Sequence, residues 1–216
     1  MVPDRGCRRG RPPILSTPSL KKVARRPLDV LSWKIEVPMS RIRNLVNFVA
    51  SRDLRLADLL REWSPPRTVR VWMVSSSRAG DGWLWAALGI PVLWYGGEQR
   101  YRVLAVLTLA AATGIGLFSV LKRVTVRKRP CAMQAFTWFQ KLPPDHFSFP
   151  SGHSLTAFAV TVPLSLYYPS YMYGLYFCAA SIATSRVILG MHFLSDVVAG
   201  SAIGAGIGYM AYSLAA

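Results

Sequence analysis

At 216 residues the chain is long enough for one domain with a tail and too short for two full domains. Hydrophobic residues make up 52% and charged residues 17%, with mean hydropathy +0.28, which excludes a disordered chain and is high for a soluble one. The net charge of +16 would suggest nucleic acid in a soluble protein, but 17 of the 26 Lys and Arg lie before Asp81, so charge and apolar composition belong to different halves.

Residues 1–40 are rich in Pro, Arg and Lys, lack helical periodicity and are expected to form a disordered basic tail. No aromatic residues interleave the charges, which favours an arm for anionic lipid heads over specific nucleic-acid binding. No apolar run of about 7–15 residues follows the first charges, so no cleavable signal is expected, and Met39 is a second candidate for the first residue. Residues 41–80 form the next region. From Ile42 the apolar positions Leu45, Val46, Val49, Leu56, Leu59, Leu60 and Trp63 trace a helical stripe interrupted by Asp53. This amphipathic helix either lies in a membrane interface or packs on the rest of the protein.

Residues 81–216 carry stretches long enough to cross a bilayer, which takes about 20 helical residues. Gly82–Gly97 is marginal, with Trp83, Trp85 and Trp94 placed as an aromatic belt. Val103–Leu121 is a clean span. Phe147–Ser185 holds no Asp, Glu, Lys or Arg over 39 residues; it predicts a membrane hairpin turning at Tyr167, Tyr168, Pro169 and Ser170. Val197–Ala216 closes the chain, and its Gly200, Gly204, Gly206 and Gly208 allow close helix approach. The expected fold is an all-α, polytopic membrane helix bundle of five to six spans with an N-terminal amphipathic helix. Cys7, Cys131 and Cys178 are too widely spaced for a zinc motif and odd in number, so neither a structural metal nor a disulfide framework is expected.

Counting crossings brings three polar clusters to one face: Lys122–Pro130, Pro150–His153 and Ser185–Asp196. Ionisable groups at such depth cost about 2.5–3.5 kcal/mol unless partnered or used. Lys122, Arg129 and Arg186, with Ser151 and the N–H of Gly152 at a helix start, can cradle a phosphoryl group. Arg123, Arg127 and Lys128 read better as an ordinary basic loop against lipid phosphates. His192 and Asp196, four residues apart, share a helical face, so the carboxylate can orient the imidazole as a nucleophile. His153, from the facing cluster, is placed to act as general acid. His146 has no partner in the sequence and receives no role.

These clusters resemble the type 2 phosphatidic acid phosphatase family of membrane lipid phosphatases, whose site chemistry is similar to that of vanadium haloperoxidases and bacterial acid phosphatases. Lys122, Arg129 and Pro130 match its first motif; Pro150, Ser151, Gly152 and His153 match its second; Ser185, Arg186, His192 and Asp196 match its third. The resemblance covers roughly residues 80–215. It implies a metal-independent phosphohydrolase without cofactor, acting on a lipid phosphate or diphosphate such as undecaprenyl diphosphate, phosphatidate or phosphatidylglycerophosphate. His192 would form a phosphohistidine, Asp196 would support it, and His153 would serve as acid and then base. Lys122, Arg129, Ser151, Gly152 and Arg186 would hold the phosphoryl oxygens.

The same site could pass phosphate to a second lipid, and a non-catalytic anion-binding or transport protein could use the same charges. The expected partners are the lipid substrate and the membrane, with no specific nucleic acid. Five spans and the positive-inside rule would put the site in the cytoplasm. The resemblance instead implies a multi-pass protein of the bacterial inner membrane whose site faces the periplasm.

Overall fold

The computed structural model describes residues 40–125, 127–133 and 147–215, so the basic tail before Ser40 and His146 lie outside the described residues. Every extended element among them is helical. The stripe from Ile42 forms α1, Ser40–Glu62. The pair Pro65–Pro66 then ends the helical path, because the residue before a proline is pushed out of the helical region, and α2 follows as Arg67–Ala79. Arg70 fastens this corner, its Nε donating to the Pro65 carbonyl at 2.7 Å and its Nη2 to Ser64 Oγ at 2.9 Å. The region read as one amphipathic unit is therefore two helices.

A turn at Gly80–Gly82 leads to α3, Trp83–Tyr95, and α4 spans Arg100–Thr125. A short α5, Pro130–Met133, follows. The hairpin is formed by α6, Gly152–Tyr167, and α7, Met172–Ile188, joined by a 3-10 turn at Pro169–Tyr171 where Tyr-Tyr-Pro-Ser predicts it. Helix α8, Leu194–Ala215, closes the bundle.

Helix α6 lies at the centre, packed on α4, α7 and α8, and its residues from Ser154 to Ser165 are largely buried. Its contact with α8 is made by backbone. A Cβ on Gly200 would lie 2.6 Å from the Ser151 carbonyl oxygen, one on Gly204 2.1 Å from that of Leu155, and one on Gly208 2.6 Å from that of Ala159. Three glycines at four-residue spacing thus make a groove for α6. Gly206, expected to join them, faces open space.

Two helical segments among the described residues are long and apolar enough to cross a membrane, Gly97–Thr125 and Leu194–Ala215; only 22% and 28% of their most apolar windows are buried. Leu109, Ile115, Val120, Val198, Met210 and Leu214 point outward. An apolar exterior of this kind suits lipid and would be a liability in water. Helices α3, α6 and α7, at 13, 16 and 17 residues, fall short of a full span.

Candidate active site

Three helix ends and two connecting segments converge on one cleft of about 460 Å³. The end of α4 brings Lys122, the start of α6 brings Gly152 and His153, and the end of α7 brings Arg186. The loop before α8 brings His192, and Arg129 enters from the segment between α4 and α5. All six line the cleft together with apolar Val74, Ile115, Phe118, Leu189 and Met191. Ser151 and Asp196, the other two residues singled out in the sequence, are fully buried behind that surface.

Backbone contacts set these distances. The Arg186 carbonyl accepts from the N–H groups of both Met191 and His192 at 3.0 Å. This closes a tight turn in which Gly190 has φ +66°, a left-handed conformation that favours glycine. The first and second clusters are joined by the Ser148 N–H, which donates to the Arg127 carbonyl at 2.7 Å, and by a bridge between Lys128 and Phe147. The Ser151 N–H donates to the Asp196 carbonyl at 3.1 Å, tying the second cluster to the third.

His192 is 3% exposed. Its Nδ1 lies 2.6 Å from the Ser148 carbonyl, which can only accept, so Nδ1 carries the hydrogen and Nε2 keeps its lone pair. Asp196 Oδ2 is 3.8 Å from Nδ1. The carboxylate expected to fix the ring is thus a near neighbour, and a backbone carbonyl from another cluster holds the tautomer. Burial lowers the His192 pKa from 6.5 to about 4, with Arg129 and Arg186 acting in the same direction and Asp196 opposing. At neutral pH the ring is uncharged. Its Nε2 receives Arg129 Nη1 at 3.0 Å, and the same nitrogen donates to the Met191 carbonyl at 2.7 Å.

Arg127 corrects the reading of a solvated basic loop, since it is 7% exposed. It donates to Asp196 Oδ1 at 2.6 Å and to Asp53 Oδ2 at 2.7 Å, and its guanidinium lies over Phe193, 4.2 Å from the ring centroid. Asp53 also accepts from the Ser195 N–H at 3.1 Å and from the Ser195 hydroxyl. The residue that interrupts the apolar stripe of α1 therefore anchors α1 to the start of α8. Leu45, Phe48 and Leu59 on the same helix stay exposed, so α1 packs on the bundle and still presents an apolar face.

Lys122 sits with Nζ 4.6 Å from the Phe118 ring centroid. Arg186, 5% exposed, donates through Nη1 to Ser77 Oγ on α2. His153 Nε2 lies 2.7 Å from Asp81 Oδ1 in the turn between α2 and α3. Ser77, Asp81 and Ser148 escaped the sequence reading, and Arg127 was assigned to a basic loop, since each partners a residue at least 44 positions away.

A sequence model of the PAP2 superfamily matches residues 102–216. The lipid A 1-phosphatase of Rhizobium johnstonii is 38% identical over 93 residues, which are 41% of this chain and 38% of that protein. The undecaprenyl-diphosphatase of Sulfolobus acidocaldarius is 28% identical over 148 residues, 68% of this chain and 71% of that one. The chain thus spans about two fifths of the length of the Rhizobium relatives it matches. Among solved structures, Aquifex aeolicus LpxE is similar with TM-score 0.63 at 26% identity, over 74% of this chain and 94% of that one. A PAP2 type phosphatidylglycerolphosphate phosphatase from Bacillus subtilis shares the fold with TM-score 0.61 at 21% identity, over 87% and 94%.

Proposed function

The chain belongs to the PAP2 superfamily of membrane lipid phosphatases, and on that premise we propose that it removes the terminal phosphate of a lipid phosphate or diphosphate through a phosphohistidine on His192. The observation that carries this reading is the buried His192, its Nδ1 held by a carbonyl and its Nε2 beside Arg129 at the cleft wall. A neutral imidazole with one fixed tautomer is a competent nucleophile, and the surrounding cations are placed for the charge of a phosphoryl group.

Arg129 leaves Nε2 to grip the incoming phosphate with Arg186, Lys122 and the Gly152 N–H, and so frees the lone pair for attack on phosphorus. As the nitrogen–phosphorus bond forms, the bond from phosphorus to the lipid oxygen breaks, and His153 gives that oxygen a proton. Water then attacks the phosphohistidine with His153 as base, releasing phosphate and neutral His192. Asp196 lies close enough to steady the positive ring formed between these steps, and Ser151 supports the cradle from behind.

The apolar part of the cleft wall suits a lipid tail arriving from the bilayer. The relative aligned over the longer stretch is named an undecaprenyl-diphosphatase, which makes a polyprenyl diphosphate the first substrate to try, followed by a lipid A 1-phosphate, phosphatidate and phosphatidylglycerophosphate. In this reading α4 and α8 cross the bilayer, the shorter α3, α6 and α7 serve as the remaining crossings of a five- or six-span bundle, and the site faces away from the cytoplasm. Phosphate release by the purified protein from these four lipids tests the reading. Turnover of at least one by the parent, with near-complete loss in His192→Ala, is the expected result; an active His192→Ala variant would sink the mechanism.

A further inference from the structure

We propose that Asp81 is a positioning residue for the reaction, holding His153 so that its Nδ1 exchanges the proton with the departing lipid oxygen. The inference rests on the phosphatase reading above and goes beyond it, because Asp81 lies outside residues 102–216 that match the family.

Two features of the turn between α2 and α3 carry it. Asp81 Oδ1 is 2.7 Å from His153 Nε2, and a carboxylate can only accept, so Nε2 carries a hydrogen. Beside it, a Cβ on Gly80 would lie 2.8 Å from His153 Cδ2 and 2.8 Å from Ile182 Cγ2. The turn therefore covers the whole Nε2–Cδ2 edge of the ring, and only a residue without a side chain lets it come so close. Nδ1 lies on the opposite edge. In the neutral ring it holds the lone pair, and in the cation it holds the second proton.

The electrostatics around His153 give Asp81 something to do. Arg186 from α7, Arg129 from the segment before α5 and Arg78 from α2 line the cleft that holds the ring, and Asp81 is the carboxylate in that lining. Lys122 and His192 line the same cleft. A general acid must hold its proton until the leaving oxygen takes it, and among so many cations a neighbouring carboxylate keeps that proton available. During lipid release the Nδ1 proton passes to the leaving oxygen, which retains the electron pair of its broken bond to phosphorus. During hydrolysis Nδ1 takes one proton back from the attacking water.

The test uses the full chain in detergent and two probes, dioctanoyl phosphatidate and a nitrophenyl phosphate bearing a dodecyl tail. The nitrophenolate leaves without a proton, so only the first probe needs the acid. For Asp81→Asn we expect kcat/KM to fall about 10- to 100-fold on phosphatidate and less than about 3-fold on the nitrophenyl ester, within the usual span of general acid–base effects. Asp81→Glu should restore part of the loss. Gly80→Ala, which displaces the ring without changing charge, should show the same leaving-group pattern. The alkaline limb of the kcat/KM profile on phosphatidate, where His153 loses the proton it must donate, should also move to lower pH in Asp81→Asn. An equal loss on both probes, no loss, or a gain on phosphatidate from removing a carboxylate that competes with phosphate would each overturn the proposal. In all those cases an active parent and an inactive His192→Ala leave the phosphatase reading standing; a parent inactive on both probes, or an active His192→Ala, defeats that reading instead.

Discussion

Arg127 and Asp196 form a buried ion pair at 2.6 Å, and the free half of the same guanidinium reaches Asp53 of α1 at 2.7 Å. One cation thus balances two carboxylates that none of the three could afford to leave unpaired, because an isolated buried charge is destabilising by several kcal/mol.

Substituting Arg127 should therefore damage both folding and turnover. Arg127→Ala strands two buried carboxylates and is expected to cost about 3–5 kcal/mol. Arg127→Lys keeps the charge but loses the planar fork that serves both carboxylates at once. Asp53→Ala should loosen α1 and shift Asp196 with a smaller effect. Thermal unfolding in detergent, read beside phosphate release, checks the order; a wild-type melting temperature for Arg127→Ala would contradict the network.

The pH dependence of stability has a definite sign. His192 is held near a pKa of about 4 in the folded protein against about 6.5 when unfolded, so the unfolded chain binds the extra proton. The contribution is complete above pH 6.5 and is lost as pH falls towards 4. The loss of stability between pH 7 and pH 4.5 should be shallower in His192→Asn than in the parent, as chemical denaturation at several pH values would reveal. Equal slopes would mean that the ring is not buried uncharged.

Gly204 and Gly206 offer a matched pair. A Cβ at Gly204 would meet the Leu155 carbonyl at 2.1 Å, whereas one at Gly206 meets nothing within 4 Å. Gly204→Val should part α8 from α6 and cost at least the roughly 1–3 kcal/mol of an overpacked core. Gly206→Ala should be neutral or slightly stabilising, since alanine is the better helix former. Similar melting temperatures for the two variants would refute the groove.

Activity is expected to persist in chelator, because the proposed charge stabilisation comes from Lys122, Arg129 and Arg186. Vanadate should inhibit strongly, since its five-coordinate form mimics the phosphorus in transit. Inactivation by EDTA and rescue by Mg²⁺ would count against the site. Asp196→Asn should lower kcat more than it changes KM, because the carboxylate acts on the charged ring formed during attack.

What the sequence determined by itself was whatever depends on neighbours along the chain. The stripe from Ile42 marks α1, the uncharged stretch broken at Tyr167–Ser170 marks the hairpin of α6 and α7, and the three spaced motifs mark Lys122, Arg129, His153, Arg186 and His192 as residues of one cleft. Helix periodicity and turn-forming residues are local, and the order of the apolar stretches predicts which helix ends share a face. The tertiary structure alone decided the partners. Ser148 rather than Asp196 holds the His192 ring, Arg127 turns inward between Asp53 and Asp196, and Asp81 meets His153 across 72 positions of chain. A single Asp or Arg has no periodicity to announce it; its meaning comes from which opposite charge the packed helices bring within 3 Å, in an interior where water is no longer available to solvate it.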